Sequence, residues 1–274
     1  MSADDLILRS DRGGVRTLTM NLPKRLNGWT AEMMAAKQAA FAEAAADPAV
    51  QAVILTGTDP YYSAGVNLGG TIKLAPPRKL HGWIVQHNEA LFRTFIDFPK
   101  PILAAVNGPA IGASVTSATL CDGLIASEKA TFSTPFARLG VPPEGCSSVL
   151  FERLMGALNA ARMLGPEGFA PTGQEACDVG LAQWVVPHEA LLAEAQAIAE
   201  GWIAAGRART WRGDFTQAEL VAVNARESVA VADAFLSVPF LDAQYRFLWS
   251  RKKRGPALTF FALKHTRPVW SRFL

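Results

Sequence analysis

Apolar residues along the chain fall in short continuous runs punctuated by Gly- and Pro-bearing turns, with longer stretches of helical spacing between them. Val15–Asn21 alternates β-branched residues and predicts a strand. Thr30 stands ahead of an Ala/Met-rich stretch, placed to cap a helix that must stop near Asp47-Pro48, because a residue before proline is pushed out of helical backbone. Val50–Gly57 is almost wholly apolar, the pattern of a strand covered on both faces. His87–Asp97 predicts a helix ending ahead of Pro99, Pro101–Asn107 a strand, Gly108–Gly112 a turn and Ala113–Leu120 a short helix. Gly123–Ser127 and Thr131–Ser133 supply further short strands.

From Leu150 the spacing becomes helical: Leu150–Leu164, Glu189–Ala204, Gln217–Phe235 and a last segment near Ala243–Lys253. The expected class is α/β, with a core over residues 1–205 and a helical C-terminal region over 206–274. Gly206–Gly213, holding Arg207, Arg209 and Arg212, is expected to be a flexible connection.

Composition narrows the picture. With 274 residues, 50% hydrophobic and 19% charged, the chain can bury a large core and is not a disordered polyelectrolyte. The net charge of +3 is unevenly spread: from Arg246 onward there are eight Lys/Arg and no Asp or Glu. Such a tail suits a phosphate-bearing cofactor, a nucleic acid or a lipid surface, or equally a solvated helix face or subunit contact. No recognised RNA-binding pattern accompanies it. Cys121, Cys146 and Cys177 are far apart and suggest no disulfide framework. His81, His87, His188 and His265 lack metal-ligand spacing, so neither metal nor redox cofactor is expected. The N-terminus lacks a secretory h-region, no run is long enough to span a bilayer, and the Ser-Arg-Phe-Leu ending is not a clean peroxisomal signal. A cytoplasmic protein is expected.

Two loops share a design in which a strand ends, a glycine-bearing turn follows, and a small residue opens the next element. They are Tyr62–Leu68 and Asn107–Thr116. Small side chains let a substrate approach the backbone, and free N–H groups there can point at developing negative charge. A third segment, Thr131–Ser148, offers one carboxylate, Glu144, between Pro142-Pro143 and Gly145. Pro-Pro-Glu-Gly is also ordinary turn chemistry, so the residues alone leave Glu144 as either a proton carrier or a surface turn acid.

Taken in order, Pro23–Asn27, Val53–Gly57, Ser63–Gly65, Lys100–Gly112, Cys121-Asp122 and Ala130–Phe132 resemble the crotonase, or enoyl-CoA hydratase/isomerase, superfamily over about Leu6 to Leu192. The resemblance implies a crotonase-like spiral of ββα units with a helical C-terminal region, an acyl-CoA substrate, and assembly as a homotrimer or hexamer. It implies no nucleic-acid partner and no cofactor beyond the coenzyme A of the substrate. It places the thioester oxygen between the N–H groups of Ala64 and Ala113. Hydratases of the family use two glutamates, and the matching positions here are Thr116 and Phe136, neither of which titrates near neutral pH. The run through Pro135, Phe136, Leu139 and Pro143-Glu144-Gly145 is instead similar to peroxisomal-type Δ3,Δ2-enoyl-CoA isomerases, with Glu144 as the single base. Implied substrate and coenzyme A contacts are Lys24, Leu26, Ser63, Gly65, Val66, Asn67, Leu68, Gly112, Thr116, Pro135, Phe136, Leu139, Pro143, Phe261 and Lys264. Trp83, His87 and Phe92 fall in the helical region that caps the pocket in relatives. Other crotonase chemistry (hydration or thioester hydrolysis) and a non-catalytic acyl-CoA-binding scaffold stay open.

Overall fold

The computed structural model describes residues 3–66 and 76–273. In chain order the strands are β1 (Ile7–Arg12), β2 (Val15–Met20), β3 (Ala52–Gly57), β4 (Ile102–Val106), β5 (Ala110–Ile111), β6 (Gly123–Ser127), β7 (Phe132–Ser133) and β8 (Trp184–Val186). The helices are α1 (Ala3–Leu6), α2 (Ala31–Ala46), α3 (Pro77–Ile96), α4 (Ala113–Thr119), α5 (Phe136–Leu139), α6 (Ser147–Leu164), α7 (Gly173–Asp178), α8 (Leu191–Ala204), α9 (Gln217–Phe235), α10 (Val238–Ser250) and α11 (Arg254–Trp270).

Six strands form one sheet in the order β1-β2-β3-β4-β6-β8, parallel except for the β1–β2 hairpin. The apolar run of β3 is explained by cover on both sides. Ala52 and Ile54 face α8, where Leu191, Ala195, Ala199 and Trp202 pack; Val53 and Leu55 face the larger core with Met33, Phe41, Phe92 and Phe95. Thr30 caps α2 as expected, its side chain accepting from the Met33 N–H.

A second, smaller layer is built from the segments that follow successive strands. Trp29 bridges Val66, Ser63 bridges Ala110, and β5 pairs in parallel with β7. β2, β3, β4 and β6 thus each feed one rung of the small layer before a helix returns the chain, a spiral of ββα units. The candidate loops are the rungs.

The helical C-terminal region is present and holds one helix more than expected, α11. Gly255, Pro256 and Pro268 hid α11 in the sequence, but Pro256 falls in its first turn, where the missing N–H costs nothing, and Pro268 in its last. Short β1 and β8 were also missed. α10 and α11 form an antiparallel pair held by Lys264 Nζ donating to Asp242 Oδ1 at 2.6 Å. They join the first turns of α3 in a second core around Leu80, Ile84, Val231, Leu241, Leu248 and Phe260.

One expectation is overturned. Gly206–Gly213 is not a flexible connection, because its arginines are anchored. Arg209 pairs with buried Asp122 at 2.5 Å and donates to the carbonyls of Phe95 and Leu120. Arg212 donates to the carbonyls of Leu181 and Gly180. The α9 helix that follows contributes Leu220 and Val223 to the main core. Among the described residues no helix is long and apolar enough to cross a membrane.

Candidate active site

A cavity of about 160 Å³ opens between the small-layer rungs, α3, α5 and α9. Ala64, Val66, Gly112, Ala113, Pro135, Phe136, Leu139 and Glu144 all line it, so segments far apart in sequence converge there. Trp83, Ile84, His87, Asn88, Val231, Phe235 and Phe240 complete the wall. Glu144 is the one carboxylate among the described lining residues.

Local backbone sets where Glu144 lies. Gly145 (φ 66°) and Cys146 (φ 62°) both adopt left-handed backbone ahead of α6, turning the chain sharply after the Pro-Pro pair. A Cβ on Gly145 would sit 2.5 Å from the Phe92 ring and 2.6 Å from Thr116 Oγ1, so glycine is required on steric grounds as well. Glu227 of α9 fixes the turn from outside, accepting from the N–H groups of Cys146 (2.6 Å) and Ser148 (3.0 Å).

The carboxyl of Glu144 is buried, and burial pushes its pKa up to about 7. A hydrogen bond from Asn88 opposes that rise, and the nearby negative charge of Glu227 adds to it. Asn88 Nδ2 donates to Glu144 Oε2 at 2.6 Å, and Ser228 Oγ donates to Asn88 Oδ1 at 2.9 Å. The acceptor-only ionised carboxylate takes the Nδ2 end of the Asn88 amide, and the serine hydroxyl satisfies the Oδ1 end. Sequence reasoning missed Asn88, Ser228 and Glu227. The α3–α9 pairing brings Asn88 and Ser228 together, and the packing of α9 on the turn before α6 places Glu227; no local pattern marks them.

Across the cavity the backbone amides require a correction. The Ala64 N–H is not free: it donates to the Leu26 carbonyl at 2.9 Å, a consequence of the rung pairing that holds this loop. Two residues on, the Val66 N–H has no partner among the described residues, and neither has the Ala113 N–H at the start of α4. Ser63 accepts from the Gly65 N–H, and Gly65 (φ 72°) passes so close to the next rung that a Cβ would lie 2.3 Å from the Ile111 carbonyl oxygen. This close approach brings the Val66 and Ala113 segments side by side. The candidate amide pair is Val66 and Ala113.

The remaining implied contacts are dispersed. Ser63 is fully buried and donates to the Asn27 carbonyl, so it shapes the loop. Thr116 is buried behind Gly145, its hydroxyl on the Ala113 carbonyl, and does not line the cavity; nor does Pro143. Lys24 and Leu26 lie on the exposed turn after β2. Phe261 is half-exposed against Tyr245, and Lys264 is paired with Asp242. Asn67 and Leu68 lie outside the described residues. Phe92 is core, whereas Trp83 and His87 reach the cavity, their ring centres 3.9 Å apart and planes inclined by 36°.

One other constellation has catalytic residue types. Ser127 Oγ meets His188 Nδ1 at 3.1 Å, and His188 Nε2 meets Asp59 Oδ2 at 3.0 Å. Ser127 is fully buried, already accepts from the Lys129 N–H, and is not in the cavity wall. It ties strand ends together and offers no accessible nucleophile.

A profile of the enoyl-CoA hydratase/isomerase family matches residues 10–218. The chain belongs to this family. Over 189 residues it is 41% identical to enoyl-CoA delta isomerase 2 of Rattus norvegicus, covering 66% of this chain and 46% of the relative. Over 183 residues it is 36% identical to the chromodomain Y-like protein of Rattus norvegicus, covering 66% of this chain and 31% of that one. The chain thus spans less than half the length of these curated relatives. Among solved structures, an enoyl-CoA hydratase/isomerase from Pseudoalteromonas atlantica T6c superimposes with a TM-score of 0.74 at 26% identity, covering 89% of this chain and 97% of the other. The crotonase fold and a crotonase-type relationship to enoyl-CoA enzymes follow.

Proposed function

We propose that the protein is a Δ3,Δ2-enoyl-CoA isomerase that moves a 3-enoyl double bond into conjugation with the thioester, as needed in oxidation of unsaturated acyl chains. The observation that carries this is Glu144, among the described residues the one carboxyl lining a largely apolar cavity, buried with its pKa near 7, beside two amides that have no partner among those residues. Shifting the bond requires removal of a proton from C2 and delivery of one to C4. A single carboxylate within reach of both carbons does this first as base and then as acid, and a pKa near the working pH serves both halves. The dienolate between the two steps carries its charge on the thioester oxygen. Donors at Val66 and Ala113 each stabilise it by roughly 3–4 kcal/mol where water is excluded. The reaction needs no metal or redox cofactor.

Hydration by the usual glutamate pair is disfavoured by the positions it would need. Phe136 is an apolar wall residue, and Thr116 is buried behind Gly145 with its hydroxyl on a main-chain carbonyl. The name of the 41% identical relative supports the isomerase reading. Assembly into trimers or hexamers is proposed with the family.

The test is direct. Purified protein is given a 3-enoyl-CoA while conjugated thioester absorbance is followed, with 2-enoyl-CoA hydration measured in parallel. Isomerisation, little hydration, and collapse of turnover with retained binding in Glu144→Gln are expected. Binding without turnover by the unmutated protein would overturn the proposal in favour of an acyl-CoA-binding role.

A further inference from the structure

We infer that the cavity selects acyl chains of medium length, with the stacked rings of Phe235 and Phe240 as the wall where the tail stops. The inference rests on the acyl-CoA reading of the site and adds its substrate class.

The argument comes from the antiparallel pairing of α3 and α9. At one level Asn88 and Ser228 are hydrogen-bonded beside Glu144, and Asn224 Nδ2 donates to the Glu89 carbonyl. Further along, His81 Nε2 meets Asp233 Oδ1 at 2.9 Å, which closes the same seam near its other end. Ile84 and Val231 lie between these levels, and both line the cavity. Leu139 and Val141 form the opposite wall. Among the described residues the lining from the Glu144 level onward is therefore mostly apolar, with the Trp83 and His87 rings on its α3 side.

The far end is plugged. Phe235 and Phe240 stack with centroids 4.5 Å apart and planes inclined by 11°. Phe240 is only 1% exposed and is embedded in the second core with Leu236, Leu241, Leu248 and Phe260. From Ser228 to Phe235 the helix advances about 10 Å at about 1.5 Å per residue. With C2 to C4 at Glu144, that run holds an alkyl tail of medium length. A short tail leaves apolar wall uncovered, forgoing roughly fourfold in affinity per methylene. A long tail must displace the aromatic pair.

Binding of hexanoyl-, decanoyl- and hexadecanoyl-CoA by titration calorimetry tests this, alongside kcat/KM for 3-hexenoyl-, 3-decenoyl- and 3-hexadecenoyl-CoA. Decanoyl-CoA is expected to bind roughly 250-fold more tightly than hexanoyl-CoA, fourfold for each of four methylenes, and about tenfold more tightly than hexadecanoyl-CoA. Phe235→Ala, which leaves the buried Phe240 in place, should raise the ratio of hexadecanoyl to hexanoyl affinity about tenfold. Val231→Phe, which fills the middle of the run, should lower the ratio of decanoyl to hexanoyl affinity by a similar factor. Equal affinity for decanoyl and hexadecanoyl chains, or equal effects of Phe235→Ala on all three, would overturn the inference. Length-graded binding without turnover would sink the isomerase assignment and leave length selection standing. Absence of acyl-CoA binding would sink both.

Discussion

Ser228 and Glu144 never touch, yet Asn88 joins them: its Oδ1 accepts from the serine at 2.9 Å while its Nδ2 donates to the carboxyl at 2.6 Å. An ionised carboxylate only accepts, so it takes the Nδ2 end of the amide, and the serine hydroxyl satisfies the Oδ1 end that this leaves. The proposed proton carrier on the loop before α6 is thereby linked to a hydroxyl on α9, through a side chain on α3.

A pH profile reads this arrangement. With the ionised carboxyl as the proposed base, kcat/KM should climb tenfold per unit below about 7 and level off above it, from the raised pKa of Glu144. The Asn88 hydrogen bond favours the ionised form. Asn88→Ala should therefore move the limb upward by about one unit, the equivalent of one hydrogen bond to a charged group. Ser228→Ala should move it the same way by less. A limb that stays in place in both variants would show that the chain of bonds does not control the acid.

Stability should show the opposite face of the same burial. The folded pKa of Glu144 lies near 7, above its ordinary 4.5, so between those values the native state holds more protons than the unfolded chain. Stability contributed by this group is therefore full below about 4.5 and lost as pH rises through about 7. Glu144→Gln removes the ionisation and keeps an oxygen for Asn88. Relative to the unmutated protein it should gain roughly 3 kcal/mol at pH 8 and little at pH 4, by denaturant unfolding at the two values. An equal effect at both would contradict the buried-carboxyl account.

Much of this was legible in the sequence, and the boundary is physical. Thr30, the β3 run and the Pro-Pro-Glu-Gly turn are local signals, written within a few residues, and each is in place. Glu144 could be singled out because proline and glycine constrain the chain on either side of it. Asn88, Ser228 and Glu227 are ordinary helix residues whose meaning depends on distant packing, Asn88 and Ser228 across the α3–α9 pair and Glu227 on the turn before α6. Which amide of Ser63–Val66 is free depends on which carbonyl the neighbouring rung supplies, and Leu26 takes the Ala64 N–H. Gly206–Gly213 misled because arginine between glycines looks solvated until a buried Asp122 is opposite it.

That ion pair has its own consequence. Asp122 accepts from the Ile102 N–H at 2.8 Å and the Thr210 N–H at 2.7 Å as well as from Arg209, so it joins the start of β4 to the segment before α9. Arg209→Met leaves a buried carboxylate without its cation and should cost about 3–5 kcal/mol in unfolding free energy. A loss below about 1 kcal/mol, the range of exposed pairs, would mean the segment is not fastened as described.

Lys37 should behave in the reverse sense. Its side-chain nitrogen is fully buried, without a hydrogen-bond partner among the described residues, 3.1 Å from the centre of the Trp29 ring, and burial holds its pKa well below the usual lysine range. Below about 10.4 the unfolded chain carries a proton on this lysine that the native state gives up, which costs stability. That penalty is largest at low pH and fades as pH approaches the unfolded value. Lys37→Met fills nearly the same volume with no group to desolvate. It should raise the melting temperature at pH 6 by several degrees and by less at pH 9. A destabilised Lys37→Met at both values would mean that the amine is held by an interaction worth more than its burial costs.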